Sequence, residues 1–359
     1  MTSVHQVRLL LVNTGSSSVK LAVWRDGRIV SSRRASRDAV VDLAEFVAPH
    51  GAIDAVVHRV VHAGDVQRHA FFTPDVEAAV RDASPLAPLH NPAALRYLAA
   101  ARIAFGPNVP QLAAVDTAFF HDLPDHAATY ALASELGPIR RYGFHGLAHS
   151  YMSRRARELP ARPRRLVTLQ LGAGCSATAI LDGRALDTSM GFSPSEGLVM
   201  ASRSGDVDPG LLIHLLRARG CSADQLDHWI NQRGGLLGVC GHDAMPDVLR
   251  LAASGDGRAV LALELYCHRL RKIIGAYAAV LGGLDAVVFG GGVGENAAEI
   301  RERILGPLAW LGLELDRARN AASPVDRAIT APGSRASAWV VQVDEADEMA
   351  RVATALLDV

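Results

Sequence analysis

LLLVNTGSSSVKLAVWRDGR, residues 9–28, and LVTLQLGAGCSATAILDGR, residues 166–184, are the stretches whose reading decides the fold. Each opens on an apolar run of strand length and passes through a turn of small residues. Each then resumes with alternating apolar residues and ends on Asp-Gly-Arg. The pairs Asp26-Gly27 and Asp182-Gly183 predict hairpin turns, because such a turn needs two consecutive residues that tolerate positive φ. Aligned on those turns, Ser18 falls on Gly174 and Lys20 on Ser176. One plan used twice predicts a duplicated α/β protein, each half opening on a hairpin. The small residues of the first turn, Gly15 to Ser18 in one copy and Gly172 to Gly174 in the other, let backbone N–H groups approach an anion closely. Two such loops, one per half, are expected to hold a polyphosphate; the plainer reading is that they are only turns.

Composition narrows the partners. The chain of 359 residues is long enough for two domains. Lys plus Arg and Asp plus Glu number 37 each, so there is no net charge. No broad attraction to nucleic acid or to an anionic membrane is implied, and an anionic substrate must be met by a few placed cations. The four cysteines, Cys175, Cys221, Cys240 and Cys267, form no CxxC pair and read as reduced thiols. Leu9 to Val12 is too short an unbroken apolar run for a signal-peptide core, and no run approaches the roughly 20 apolar residues of a membrane span. A cytoplasmic protein is expected.

Alternation of helix and sheet continues along the chain. Residues 257–281 carry apolar side chains at helical spacing, and LDAVVF, residues 284–289, reads as a short buried strand. It runs into GGGVGEN, residues 290–296, where Asn296 followed by Glu299 reads as a helix cap and capping box. Strand, glycine loop and helix start in that order predict a phosphate or nucleotide site. PARPRR, residues 160–165, reads as a connector between domains.

Several polar residues stand where a core would not accept them. Arg59 lies between valines in a strand-like run; buried, it needs an anion, either a ligand or an internal carboxylate. His90 and Asn91 precede Pro92, which suits the first turn of a helix. Asp116 follows a short apolar run, His145 sits between Phe144 and Gly146, Arg203 lies in a turn-rich segment, and Glu345 stands at a helix start near the chain end.

The joint presence of VNTGSSSVK, HRVVHAGD, LAPLHNP, VDTAFFH, RYGFHGLAHSY, DTSMGFSPSEGLVMASRSGDVDP and GVGEN, in that order, resembles the acetate kinase family of short-chain carboxylate kinases. The resemblance covers nearly the whole chain. It implies the duplicated ribonuclease-H-like fold shared with actin, the Hsp70 ATPase and sugar kinases, with an active-site cleft between the domains. Residues 1–150 with 346–359 would form the N-terminal domain, and 151–345 the nucleotide-binding domain. By the same resemblance Asn13, Ser16, Ser18 and Lys20 match the first phosphate loop, and Gly172 and Gly174 the second. Arg59 and Arg203 match the arginines that bind the carboxylate and the moving phosphoryl group. Asp116 and Glu345 match the acidic pair near magnesium, Asn13 and Glu345 being the residues assigned to the metal. His145 matches the histidine that stabilises the transition state, and Val61, Leu89 and Pro194 the pocket for the acid's methyl group. Gly292, Gly294 and Asn296 match the loop beside the nucleotide. The implied reaction is reversible, magnesium-dependent, in-line transfer between ATP and acetate or propionate, by a homodimer. Butyrate, another donor such as pyrophosphate, or a non-catalytic nucleotide-binding relative are the alternatives.

The sequence departs from the family pattern mainly on the nucleotide side. Ala173 stands where the second phosphate loop usually has asparagine, and Cys175 where it has glycine. Ala244, Met245, Pro246 and Asp247 stand where Asp-Met-Arg-Asp is usual near the adenine.

Overall fold

The computed structural model describes residues 7–15, 18–36, 41–137, 139–159, 162–322 and 326–358. Among them, twelve strands form two sheets of six. They are β1 (Arg8–Thr14), β2 (Ser18–Arg25), β3 (Arg28–Ser36), β4 (Ala55–Val60), β5 (Ala70–Phe71), β6 (Gln111–Val115), β7 (Arg165–Leu171), β8 (Cys175–Leu181), β9 (Arg184–Thr188), β10 (Ala286–Gly290), β11 (Arg327–Ala328) and β12 (Ser337–Val340). Eight helices bear on function: α1 (Asn91–Phe105), α2 (Gly146–Glu158), α3 (Pro209–Ala218), α4 (Met245–Ala253), α5 (Gly257–Val280), α6 (Gly291–Asn296), α7 (Ala298–Leu305) and α8 (Glu345–Leu357).

The duplication is explicit in the ladders. The first sheet runs β3-β2-β1-β4-β6-β5 and the second, from its other edge, β9-β8-β7-β10-β12-β11. In each, three antiparallel strands lead into two parallel ones, and a two-residue antiparallel strand closes the edge. Both Asp-Gly pairs form the predicted turns, with φ of 49° and 84° at Asp26 and Gly27, and 53° and 88° at Asp182 and Gly183. Both hairpins slip register at the same offset before that turn, at Val23/Trp24 and at Ala179/Ile180. A bulge kept at one place in both copies is a feature of the plan rather than a local accident.

By contacts the chain forms two units. The first holds residues 1–121, 144–151 and 344–359, and the second 122–143 and 152–343. Residues 122–143 therefore group with the second unit, apart from the expected boundary at 150. The reason is local: Arg184 pairs with Asp122, and the Tyr142 N–H donates to the Gly191 carbonyl. The chain passes between units inside α2, at 151/152, rather than at 160–165, where residues 160 and 161 lie outside the described part.

In the first unit β1 shows why both sheet faces are covered. Leu9 and Leu11 point into a core with Leu147 of α2 and Met349, Val352 and Ala353 of α8. Leu10 and Val12 point the other way, against Tyr97 and Ala101 of α1. A strand buried on both sides must be apolar at every position, which is what LLLV supplies. In the second unit α5 runs over the predicted span and buries its stripe from Ala259 to Ala278. The Asn296 expectation is overturned. Asn296 ends α6 and its side-chain amide donates to the Gly292 carbonyl, while α7 starts after Ala297 with no side-chain cap. Glu299 pairs with Arg303 one turn on, so the capping box does not form. Glycines here continue the strand directly into a short helix, and Gly291 takes φ 76° to make the corner.

Candidate active site

Parallel strands align their carboxyl ends, and side chains placed there converge. In the first unit β1, β4 and β6 are adjacent and parallel. Asn13 stands one residue from the end of β1, Arg59 one from the end of β4, and Asp116 directly after β6. The Arg59 guanidinium donates from Nε and NH2 to the two oxygens of Asp116, at 3.0 and 2.8 Å. Its NH1 donates to Asn13 Oδ1 and to Glu345 Oε2, each at 3.2 Å. Asn13 Nδ2 in turn donates to Glu345 Oε2 at 2.8 Å. Glu345 opens α8 as predicted, with Asp344 as the N-cap. Chain segments more than 300 residues apart thus supply one polar cluster, which is the internal-carboxylate answer to the buried arginine.

His145 enters through its backbone. It has φ 56°, and its N–H donates to the Asp116 carboxylate. Gly146 follows because nothing larger fits: a Cβ there would stand 2.0 Å from the Asp116 carbonyl oxygen. Burial pushes the Asp116 carboxyl up, while Arg59 and the His145 N–H pull it back. Burial also opposes the Arg59 charge, but Asp116 and Glu345 outweigh it and raise its pKa. With both Asp116 oxygens bonded to the arginine, the two are an ion pair at neutral pH. One cation facing two carboxylates leaves an excess of negative charge, and Glu345 keeps Oε1 outside these bonds.

Val61 is buried just past β4 and Leu89 is half-buried before α1. Their segments are tied by Asn91, whose amide donates to the His62 carbonyl at 2.7 Å and accepts from the His62 N–H at 3.3 Å. Lys20 is exposed on β2, opposite Asn13 in register. Ser18 accepts from Arg34 at 3.0 Å, and Ser16 lies outside the described residues.

In the second unit a cavity of about 660 Å³ is lined by Gly172 and Ala173 of the β7–β8 turn, Ala244 to Pro246 with Leu249 of α4, and Gly292, Val293 and Asn296 of α6. Three stretches predicted separately to touch a nucleotide therefore line one mostly apolar cavity. Gly174 shapes the turn by accepting from the Gly172 N–H, and Gly294 is buried behind the lining. Cys175 points into the core, its thiol against the Tyr266 hydroxyl at 3.3 Å. Burial pushes that thiol up to about 11, against the opposing pull of Tyr266, so it stays protonated.

Arg203 is the opposite of Arg59. Its NH1 donates to the Pro194 carbonyl at 2.9 Å, and among the described residues no carboxylate pairs with it. Burial lowers its pKa against the opposing pull of Cys175. The loop that carries it is braced by residues that sequence reasoning missed. Tyr130 donates to Glu196, Arg141 reaches the other Glu196 oxygen at 2.7 Å, and the Arg141 guanidinium lies over the Tyr130 ring. A Cβ on Gly191 would collide with both Glu196 and Tyr130. Arg301 was also missed, although a charge in step with Ile304 and Leu305 on a helix face is a readable sign of a buried cation.

Among the described residues no three His, Cys, Asp or Glu side chains converge as a metal cage, and no helix is long and apolar enough to cross a membrane. The sequence model of the Acetokinase family matches residues 31–351. The acetate kinase of Leifsonia xyli subsp. xyli is 50% identical over 309 residues, covering 84% of this chain and 78% of that protein. The acetate kinase of Streptomyces avermitilis is 40% identical over 395 residues, covering 98% and 97%. Among solved structures, Porphyromonas gingivalis acetate kinase superposes with TM-score 0.86 at 35% identity, covering 98% of this chain and all of that one. A Francisella tularensis propionate kinase superposes at 0.88 with 34% identity, covering 96% and 98%. The duplicated sheets, the converged cluster and these matches together mean that this chain belongs to the acetokinase family of kinases.

Proposed function

We propose that the chain transfers a phosphoryl group reversibly between ATP and a short-chain carboxylate, acetate or propionate, forming acyl phosphate and ADP. The observation that carries this reading is Arg203, a guanidinium with no carboxylate partner among the described residues. A half-buried cation without a counter-ion is prepared for an anionic ligand. The substrate carboxylate is ionised at pH 7 and needs no strong base to attack phosphorus. What opposes reaction is bringing one anion onto another, so catalysis is alignment and charge cancellation. Arg203 and Arg59 supply that charge, with Arg59 held in one orientation by Asp116. His145 donates to the transferring oxygens in this reading, and Val61, Leu89 and Pro194 take the acid's alkyl end. One carboxylate oxygen attacks the terminal phosphorus as the bond to the ADP oxygen breaks, with no phosphoenzyme.

The residues suit a magnesium ion arriving with the nucleotide. Such an ion takes one or two protein oxygens and fills its shell with water and phosphate. Glu345 Oε1 and the excess negative charge beside Asn13 are where this chain would meet it, and the ion would neutralise the terminal phosphates. The mostly apolar 660 Å³ cavity supports a nucleotide donor over pyrophosphate, which would have no use for such walls. Leu211, Ile213 and Leu216 are exposed on α3, which buries none of its residues, and this supports a homodimer. A cytoplasmic location agrees with these substrates.

The test is a hydroxamate trap for acyl phosphate, with magnesium, ATP or pyrophosphate, and acetate, propionate or butyrate in turn. Signal with ATP and acetate or propionate is expected. Signal only with pyrophosphate would move the donor assignment, and no signal from folded protein would end the catalytic reading.

A further inference from the structure

We infer that Arg301 is a positioning residue for the nucleotide cavity, holding α6 in place from behind. This rests on the cavity in the second unit being the nucleotide site. Arg301 is the largest of the fully buried side chains, at 1% exposure. Its contacts involve four acceptors, none of them a carboxylate. NH1 donates to the carbonyls of Gly294 and Glu295 at 2.8 and 3.0 Å. Nε donates to Asn320 Oδ1 and NH2 to the Asn320 carbonyl, each at 2.7 Å. Asn320 is itself fixed, its amide donating to the Ala298 carbonyl at 2.8 Å.

The two carbonyls named belong to the last turn of α6, whose other residues Gly292, Val293 and Asn296 line the cavity. A helix of six residues leaves most of its carbonyls without an intrahelical partner. Facing a core, those carbonyls need donors, and the planar fork of an arginine meets several at once. Burial, with Arg327 adding to it, lowers the Arg301 pKa to about 10, so the group remains a cation at neutral pH. A positive charge at the carboxyl end of a short helix also opposes the helix dipole there. The glycine-rich segment has little side-chain packing of its own, so this clamp is what sets the cavity wall.

The test uses the whole enzyme. MgATP affinity is measured by calorimetry, and KM for ATP and for acetate by the hydroxamate trap, for wild type, Arg301→Met, Arg301→Lys and Asn320→Ala. The expected result is a loss of MgATP affinity of tenfold or more in Arg301→Met, with KM for ATP rising in step and KM for acetate within twofold of wild type. Arg301→Lys, which keeps the charge and loses the fork, should recover part of the loss. A general structural defect would move both substrates together and would show no lysine rescue, and either pattern overturns the inference. If Arg301→Met does not fold, Asn320→Ala decides: it keeps the cation but removes the acceptor that orients Nε, and must weaken MgATP selectively. If wild type binds MgATP and the folded variants bind within twofold of it, the positioning role alone falls. If wild type itself does not bind MgATP, the cavity assignment falls first.

Discussion

Arg59 and Arg203 carry the same charge in opposite circumstances, so their removal should be distinguishable by stability as well as by rate. Arg59→Ala leaves Asp116, which is 1% exposed in its side chain, as a buried carboxylate without its counter-ion. Breaking such a pair costs about 3–5 kcal/mol. Arg203→Ala leaves only neutral acceptors, the Pro194 carbonyl and the Met200 sulfur, without their donor and removes a half-buried unpaired charge. Each variant should lose about 10²–10³ in turnover, by the scale set for transition-state donors. Thermal melts should then separate them: Arg59→Ala melts well below wild type, while Arg203→Ala melts near it. Equal melting temperatures would mean that Arg203 has a counter-ion in the working enzyme. Arg59 could be read from sequence as a cation out of place, and Arg203 through the family resemblance. That Asp116 would answer one and nothing the other could not, because the partner is set by strand order.

At the scale of elements, the hairpins were legible because a turn that needs two positive-φ residues leaves Asp-Gly in the sequence. The parallel strands were legible as short apolar runs. The β7–β8 turn, the α4 region and the glycine segment could each be named from sequence, but their shared cavity depends on how three distant elements fold together. The Asn296 cap failed for a related reason: the amide found a carbonyl one turn back, a local competition that residue spacing does not reveal. The loop carrying Pro194 and Arg203 is the element whose support was least visible. Its brace joins Tyr130, Arg141 and Glu196, and the first two lie in a stretch that sequence placed with the other half. Glu196→Gln would keep the shape and remove the charge that pairs with Arg141. Since Pro194 holds Arg203, loosening this loop should raise KM for the acid and lower kcat, by about tenfold together. KM for ATP should stay within twofold. Tyr130→Phe should do the same more weakly. A rise confined to ATP would show that the brace serves the cavity beside α6 instead.

For the molecule as a whole, acid should open one unit before the other. Burial pushes His58 down to about 4 and His149 to about 3, in each case as the leading cause. Burial likewise lowers His62 and His69 to about 4. All four lie in the first unit. Geometry agrees with neutral rings: Nδ1 of His62 accepts from the Gly64 N–H at 3.0 Å, and Nδ1 of His69 from the Val115 N–H at 3.1 Å. An unperturbed histidine titrates near 6.5, so above that pH folded and unfolded chains are both neutral at these sites and pH has no leverage. Between about 6.5 and 4 the unfolded chain takes up protons that the folded one refuses, and stability falls as pH falls. Each fully buried histidine contributes up to about 1.4 kcal/mol per pH unit in that window. Asp116, whose carboxyl burial raises, works in the opposite sense. Amide exchange at pH 7 and pH 5 should therefore show protection lost first in β4, β6 and α2, while β7 and β10 remain protected. Uniform loss across both sheets would mean that the units unfold as one, and loss beginning in the second sheet would mean that the buried histidines do not govern the acid limit.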